Sequence, residues 1–251
     1  MARIVALIPA RSGSKSIKDK NIQIVSGRPL LSYTIAAAFD VPEIDDVFVS
    51  TDSSFYADLV VQYGSKVVMR PTNISGDNSK DIEFVLHFLS LVQKWGNDLP
   101  QYIIHLRPNV PLREPKYISD AITTIKQHKN ATALRSVHPM PKTAYKHFEI
   151  EDNFLKCIFT KLDDIDSLNI PQQENFPITY DANGYVDVLN VAHILEEKKI
   201  HGKKVLAFEV PRITDIDTIE DLDRVKYELE IKLEIAELYN QLFRSLECRV
   251  I

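Results

Sequence analysis

Ile4-Val5-Ala6-Leu7-Ile8-Pro9-Ala10-Arg11-Ser12-Gly13-Ser14-Lys15-Ser16-Ile17-Lys18-Asp19-Lys20-Asn21 is an apolar run that breaks into a small, polar, basic loop. Ile4 to Ile8 is short, continuous and rich in β-branched residues, which is how a strand buried on both faces of a parallel sheet reads. In the loop, Arg11, Lys15, Lys18 and Lys20 stand against a single acid, Asp19. Gly13 lets the backbone come close to a ligand, and Ser12, Ser14 and Ser16 add hydroxyls. Backbone N–H groups among cations make a seat for a polyphosphate. An ordinary solvated loop between strand and helix is the competing reading. The G-x-x-x-x-G-K-[ST] of a Walker A motif is absent.

Outward from this stretch, strands and helices alternate. Leu30–Phe39 reads as a helix opened by Pro29, Asp46–Asp52 as a second buried strand with a polar end, and Ser53–Tyr63 as a helix stopped by Gly64. Lys66–Met69 reads as a third strand. An amphipathic helix follows Asp81, with Ile82, Val85, Leu86, Leu89 and Val92 on one face. Tyr102–Leu106 is the next strand, Lys116–His128 a helix and Ala131–Val137 a strand. This order predicts an α/β fold with a mainly parallel sheet flanked by helices and right-handed crossovers. Ligands of such sheets lie at the carboxyl ends of the strands, so the polar residues there are the ones to examine.

The rhythm stops over 139–180, where Pro139, Pro141, Pro171 and Pro177 flank the acids Asp163, Asp164 and Asp166. That predicts a projecting arm rather than a core element, with a plain loop as the alternative. The rhythm resumes with a strand opening at Asn183-Gly184 and another at Val205–Val210. A long helix is expected next, with Ile219, Leu222, Val225, Leu229, Leu233 and Ala236 on one face. The domain division expected is 1–138 with 181–230, an arm at 139–180, and a helical extension at 231–251.

The 251 residues are 45% apolar and carry a net charge of −5. That balance gives no reason to expect nucleic-acid binding. Two distant cysteines, Cys157 and Cys248, suit a reduced, cytoplasmic setting. No apolar stretch approaches membrane-spanning length, and the N-terminus shows no apolar region of signal-peptide length. None of the seven histidines sits in a base or metal spacing.

Ala10-Arg11-x-x-Ser14-Lys15 followed by Lys20-Asn21 resembles the N-terminal motif of the CMP-sugar synthetases, above all the acylneuraminate cytidylyltransferases. The resemblance implies a Rossmann-like, GT-A-like nucleotidyltransferase fold with a small dimerisation arm. By it, Ala10, Arg11, Ser12, Gly13, Ser14, Lys15 and Lys20 hold the triphosphate of CTP, and Asn21 begins the cytosine site. Ser16 departs from the family's usual Gly. The segment from Arg70-Pro71 to the next helix resembles the cytosine-reading segment, which implies nucleotide roles for Arg70, Asn78 and Ser79. Helix initiation, with Asn78 and Asp81 as a capping pair, is the other reading of 77–81.

Leu106-Arg107-Pro108-Asn109-Val110-Pro111-Leu112-Arg113 resembles the family's Leu-Gln-Pro-Thr-Ser-Pro-Leu-Arg. Arg107, Asn109 and Val110 replace its Gln, Thr and Ser. Arg107 is either a ligand for a sugar carboxylate or a structural ion pair. Asn183-Gly184-Tyr185-Val186-Asp187 resembles Asn-Gly-Ala-Ile-Tyr, and Pro171-Gln172-Gln173 resembles Pro-Arg-Gln without the Arg. The resemblance thus implies a sugar pocket of Arg107, Asn109, Gln172, Asn183, Tyr185 and Asp187, rebuilt relative to the family. Asp215-Ile216-Asp217-Thr218-x-Glu220-Asp221-Leu222 resembles the family's metal site. Two carboxylates two residues apart in extended chain point to one side and suit Mg²⁺. Asp217 also reads as a helix cap with Glu220 as its partner.

The activity implied is transfer from CTP to an acidic nonulosonic sugar, giving CMP-sugar and pyrophosphate. Arg11, Lys15, Lys20, Asp215 and Asp217 would be the catalytic set, in a homodimer without nucleic-acid or membrane partners. The alternatives are a nucleotidyltransferase for a Kdo-like acid or a sugar phosphate, and a nucleotide-binding protein without turnover.

Overall fold

A computed structural model describes residues 3–158 and 176–250. The central sheet has seven strands in the order β11-β7-β10-β6-β1-β4-β5. These are β1 (Ile4–Pro9), β4 (Asp46–Thr51), β5 (Lys66–Met69), β6 (Tyr102–His105), β7 (Ala133–Pro139), β10 (Tyr180–Asn190) and β11 (Val205–Glu209). All run the same way except β10, which lies antiparallel between β6 and β7. Two short hairpins lie outside the sheet: β2 (Ile24–Val25) with β3 (Arg28–Pro29), and β8 (Phe148–Glu151) with β9 (Phe154–Cys157).

β1 shows why the sheet forms. Alternate side chains leave on opposite faces. Ile4, Ala6 and Ile8 join one apolar cluster, and Val5 and Leu7 join the other. The first cluster is covered by α1 (Leu30–Phe39), α4 (Pro115–Gln127) and two C-terminal helices, α6 (Ile219–Ile231) and α7 (Leu233–Val250). The second is covered by α3 (Asp81–Lys94) and α5 (Val191–Glu197). A further helix, α2 (Ser54–Gln62), buries Tyr56 and Val60 in the first cluster. With both faces covered, the strands are the continuous apolar runs that parallel sheets require.

The structure corrects several expectations. Asn183-Gly184 does not open β10; the strand starts at Tyr180, and its register against β7 shifts between Ala182 and Asp187. The long C-terminal helix breaks at Lys232, and two residues expected on its buried face are open: Leu233, just after the break, is 68% exposed, and Ile219, at the first position of the helix, is 60% exposed. No glycine or proline marks that break. It lets α7 turn so that Tyr239, Leu242, Phe243 and Leu246 are buried, with Tyr239 and Phe243 against Tyr33 of α1. Phe84 and Phe88 complete the buried face of α3, on which Ile82 and Leu86 are only partly covered.

β7 ends at Pro139 and β10 begins at Tyr180, and those two residues pair. The segment between them leaves the sheet and returns at one point. The β8–β9 hairpin lies in it, with Ile150 and Phe154 about three-quarters exposed, at 77% and 76%. Pro171, Gln172, Asp163, Asp164 and Asp166 fall outside the described residues. Cys157 and Cys248 are unpaired. No helix among the described residues is long and apolar enough to cross a membrane.

Candidate active site

The loop after β1 lies at the carboxyl end of the parallel strands. Ala10 is buried and its N–H donates to Ser50 O at 2.8 Å, tying the loop to the end of β4. Gly13 takes φ +71°, in the left-handed region that suits glycine. Ser12 is committed sideways: its N–H and its Oγ donate to the two carboxylate oxygens of Asp52, at 2.7 and 2.9 Å. Asn21 Nδ2 donates to Arg11 O at 3.1 Å.

The loop's cations gather on acids brought from elsewhere. Arg11 and Lys15 both pair with Asp77, at 2.9 and 2.7 Å. Lys15 first, then Arg11, hold the Asp77 carboxyl below its ordinary value. A cavity of about 420 Å³ opens here, lined by Arg11, Ser14, Lys15, Ser16, Lys20, Asn21 and Asp77. Asn78 is exposed and Ser79 half-buried on the same connection. Arg70 is buried at its base. It donates to Ser50 Oγ and Ser50 O at 3.1 and 3.2 Å and lies over the Phe84 ring at 4.6 Å. The cap of α3 is Lys80 with Glu83 rather than Asn78 with Asp81; Glu83 accepts from Lys80 N at 2.7 Å. That leaves Asp81 to accept from Arg107 at 2.9 Å.

Lys20 joins the two ends of the chain. Its Nζ donates to Ile216 O at 2.6 Å and to Asp217 Oδ1 at 3.1 Å. Residues 214 to 217 alternate buried, exposed, buried, exposed, so Asp215 and Asp217 share the open side. Asp217 is not the cap of α6. Thr218 is: Thr218 Oγ1 accepts from Asp221 N at 3.2 Å, and Asp221 Oδ2 accepts from Thr218 N at 2.9 Å. The capping box stands one residue later than the sequence predicts, and Asp217 is released from it. Asn109 Nδ2 donates to Asp215 Oδ1, and Ile216 N donates to Asn109 O at 2.8 Å.

The Asp215 carboxyl is pushed up to about 6, first by water lost at the cleft and then by the charge of Asp217. Two like charges held together are relieved by a divalent cation, and this pair offers oxygen donors only, as Mg²⁺ prefers. Among the described residues no group of three or more His, Cys, Asp or Glu side chains is set to hold a metal. The pair therefore fits an ion that shares its coordination with a ligand such as phosphate.

The expected sugar residues separate into two groups. Arg107 and Asn109 are half-buried at the cleft. Arg107 crosses Gly184, which has φ +63°; a Cβ there would meet Arg107 Cδ at 3.4 Å. Val110, Asn183, Tyr185 and Asp187 are buried. Asn183 Oδ1 accepts from Ser136 Oγ at 2.7 Å, and the Tyr185 hydroxyl is engaged with the Glu114 backbone. The side chains of Asn183, Tyr185 and Asp187 are all partnered within the fold.

Asp187 is the centre of a row that sequence reading missed. Register sets it opposite His105 on β6 and Arg135 on β7. His201 Nε2, His105 Nδ1 and Arg135 Nε approach its carboxylate at 3.4, 3.7 and 3.7 Å. Burial alone would raise the Asp187 carboxyl, but His105 and His201 hold it far below the usual range. The polar strand end at Asp52 was a visible signal. The Asp187 row was not, because its members lie on three strands and a loop.

A cytidylyltransferase family profile matches residues 5–244. The chain is 29% identical to an N-acylneuraminate cytidylyltransferase of Escherichia coli O18:K1:H7, with 92% of this chain aligned to 52% of that protein. It thus spans about half the length of that relative. It is 30% identical to a CMP-N,N'-diacetyllegionaminic acid synthase of Legionella pneumophila, over 92% of this chain and 98% of that one. Among solved structures, a CMP:2-keto-3-deoxy-manno-octonic acid synthetase complexed with CTP superposes with a TM-score of 0.67 at 14% identity. It covers 92% of this chain and 100% of its own. The profile spans the basic loop, the Arg107 segment and the paired carboxylates alike, and the chain belongs to the cytidylyltransferase family.

Proposed function

We propose that this protein activates an acidic nonulosonic sugar with CTP, forming the CMP-sugar and pyrophosphate. The observation that carries the reading is Lys20, which ties the basic loop to Ile216 and Asp217 beside Asp215. That contact sets a seat for polyphosphate directly against a carboxylate pair. The relatives named N-acylneuraminate cytidylyltransferase and CMP-N,N'-diacetyllegionaminic acid synthase support the substrate class.

The sugar's anomeric hydroxyl attacks the α-phosphorus in line, and pyrophosphate leaves. Such transfers depend on positioning and electrostatic stabilisation. Arg11 and Lys15 exchange the single Asp77 carboxylate for the phosphate oxygens of CTP, and Lys20 steadies the negative charge growing on the leaving pyrophosphate. Arg70, Asn78, Ser79 and Asn21 frame the base. Arg107, held between Asp81 and Gly184, meets the sugar carboxylate, and Asn109 keeps Asp215 aimed at the cleft. Asp215 and Asp217 would hold Mg²⁺, which supplies charge neutralisation at the phosphates and helps activate the hydroxyl. The exposed apolar hairpin β8–β9 is the proposed contact of a homodimer, and unpaired cysteines suit a cytoplasmic setting.

Release of pyrophosphate from CTP, followed across a panel of nonulosonic acids, a Kdo-like acid and sugar phosphates with and without Mg²⁺, tests this reading. Turnover confined to one or more nonulosonic acids is expected. Turnover only of a sugar phosphate, or none with any acid while CTP still binds, would overturn it. Equal thermal stabilisation by ATP, GTP, UTP and CTP would overturn the assignment of cytosine.

A further inference from the structure

The segment from Leu106 to Glu114 carries Arg107 and Asn109 but has neither helix nor strand of its own. Its position must be set by other groups. From the cleft side, Ile216 N and the Asn109–Asp215 contact hold it. From behind, two buried side chains do.

The first is Arg113, the largest of the fully buried side chains. Its NH2 donates to Arg107 O at 2.7 Å and to Gly184 O at 3.5 Å, and its NH1 donates to Thr34 Oγ1 at 3.0 Å. None of these acceptors is a carboxylate, so a cation is buried directly beneath Arg107 and held, among the described residues, only by neutral oxygens. Burial pushes Arg113 down to about 10, which leaves it charged at neutral pH. The second is Tyr239 on α7. Its buried hydroxyl shares one proton between Pro111 O and Arg113 O, the latter at 2.8 Å. The Tyr33 and Phe243 rings, with centroids 5.0 and 6.2 Å away, fix the Tyr239 ring.

We infer that Tyr239 is a positioning residue for the sugar side of the cleft, and that α7 is thereby part of the active-site scaffold. Buried backbone carbonyls must be paired. The Tyr239 hydroxyl fixes the carbonyls at the far end of the segment, and Arg113 fixes the one at its start. Between these anchors, Arg107 and Asn109 are held in register with Asp215. The basic loop that would seat the triphosphate has anchors of its own in Asp52 and Asp77, and meets the segment through Lys20 and Ile216. A loosened Tyr239 anchor therefore acts on the sugar side far more than on the triphosphate side.

Tyr239→Phe keeps the ring and removes only the hydroxyl. Amide exchange over 106–113 should rise about tenfold, the scale of one lost buried hydrogen bond, with the 11–21 loop unchanged. The kinetic arm rests on the proposed function: the KM for the sugar acid should rise about tenfold while that for CTP stays within about twofold. Leu246→Ala is the control, since Leu246 is buried on the same helix two turns from Tyr239 and its truncation loosens that helix without touching the segment; it should lower Tm without splitting the two KM values. In the wild-type protein, amides of 106–113 and of the helix around Tyr239 should open together, whether or not the variant folds. Unchanged exchange over 106–113 in Tyr239→Phe, separate opening in the wild type, equal changes in both KM values, or the same split in Leu246→Ala would each overturn the inference. If no sugar acid is turned over at all, the proposed function fails and the exchange measurements still decide the role of Tyr239.

Discussion

Thr218 and Asp217 are neighbours with different duties, and substituting them should separate stability from turnover. Thr218 Oγ1 and the Asp221 carboxylate close the capping box of α6. Thr218→Ala removes a helix cap, which costs about 1 kcal/mol. For a chain of this length that is a fall in Tm of about 2–4 °C. Thr218 touches neither Asp215 nor Lys20 among the described contacts, so kcat should stay within about twofold. Asp217 is 71% exposed and, among the described residues, its carboxylate pairs with Lys20 alone, at 3.1 Å. An exposed pair of that kind contributes about 0–1 kcal/mol, and Asn can still accept from Lys20, so Tm should hardly move in Asp217→Asn. The loss of charge is another matter. If the two carboxylates share a divalent ion with the phosphates, removing one should cost several kcal/mol of transition-state stabilisation, a fall in kcat/KM of at least about 100-fold. Thermal unfolding and pyrophosphate release at saturating Mg²⁺ measure both quantities on the same samples. Near-normal kcat/KM in Asp217→Asn, or a fall in Tm equal to that of Thr218→Ala, would refute the division of roles.

Three further outcomes are expected. Arg107→Gln should weaken the sugar acid by about 2–5 kcal/mol, the value of a charged hydrogen bond to substrate, and raise its KM far more than that of CTP; equal losses for both would make the Asp81 contact a structural ion pair. Asp187→Asn should destabilise the fold by about 3–5 kcal/mol, because it leaves Arg135 beside a neutral partner in a buried row. Since the Asp187 carboxyl lies below its ordinary value, its contribution is present above about pH 4 and lost only as pH falls further; a Tm gap between wild type and variant that closes between pH 8 and pH 5 would contradict this. Light scattering should show a dimer that Ile150→Lys with Phe154→Lys converts to monomer, and an unaltered mass would remove the hairpin from the interface.

Much of the fold was legible in order along the chain. Continuous apolar strands, an alternation with helices and the positions of Pro29 and Gly64 are local properties, and local chemistry decides them. The basic loop and the pair Asp215 and Asp217 were legible for the same reason: each is a short run whose residue types carry the chemistry. What the sequence could not decide was pairing at long range. The antiparallel insertion of β10 depends on which strands it meets, and nothing between 180 and 190 records that choice. The capping box fell one residue later because the 214–217 segment is held by Asn109 and Lys20, which lie far away in sequence. Tyr185 looked like a pocket residue from its motif position, but its place on β10 buries its side chain against the Glu114 backbone. His105, Asp187, Arg135 and His201 were unremarkable singly, and only the sheet register made them one buried row. Lys20 reaching Asp217, and Tyr239 reaching the loop behind Arg107, are contacts that exist only once the sheet and its helices have packed, because side-chain geometry across hundreds of residues is set by tertiary structure alone.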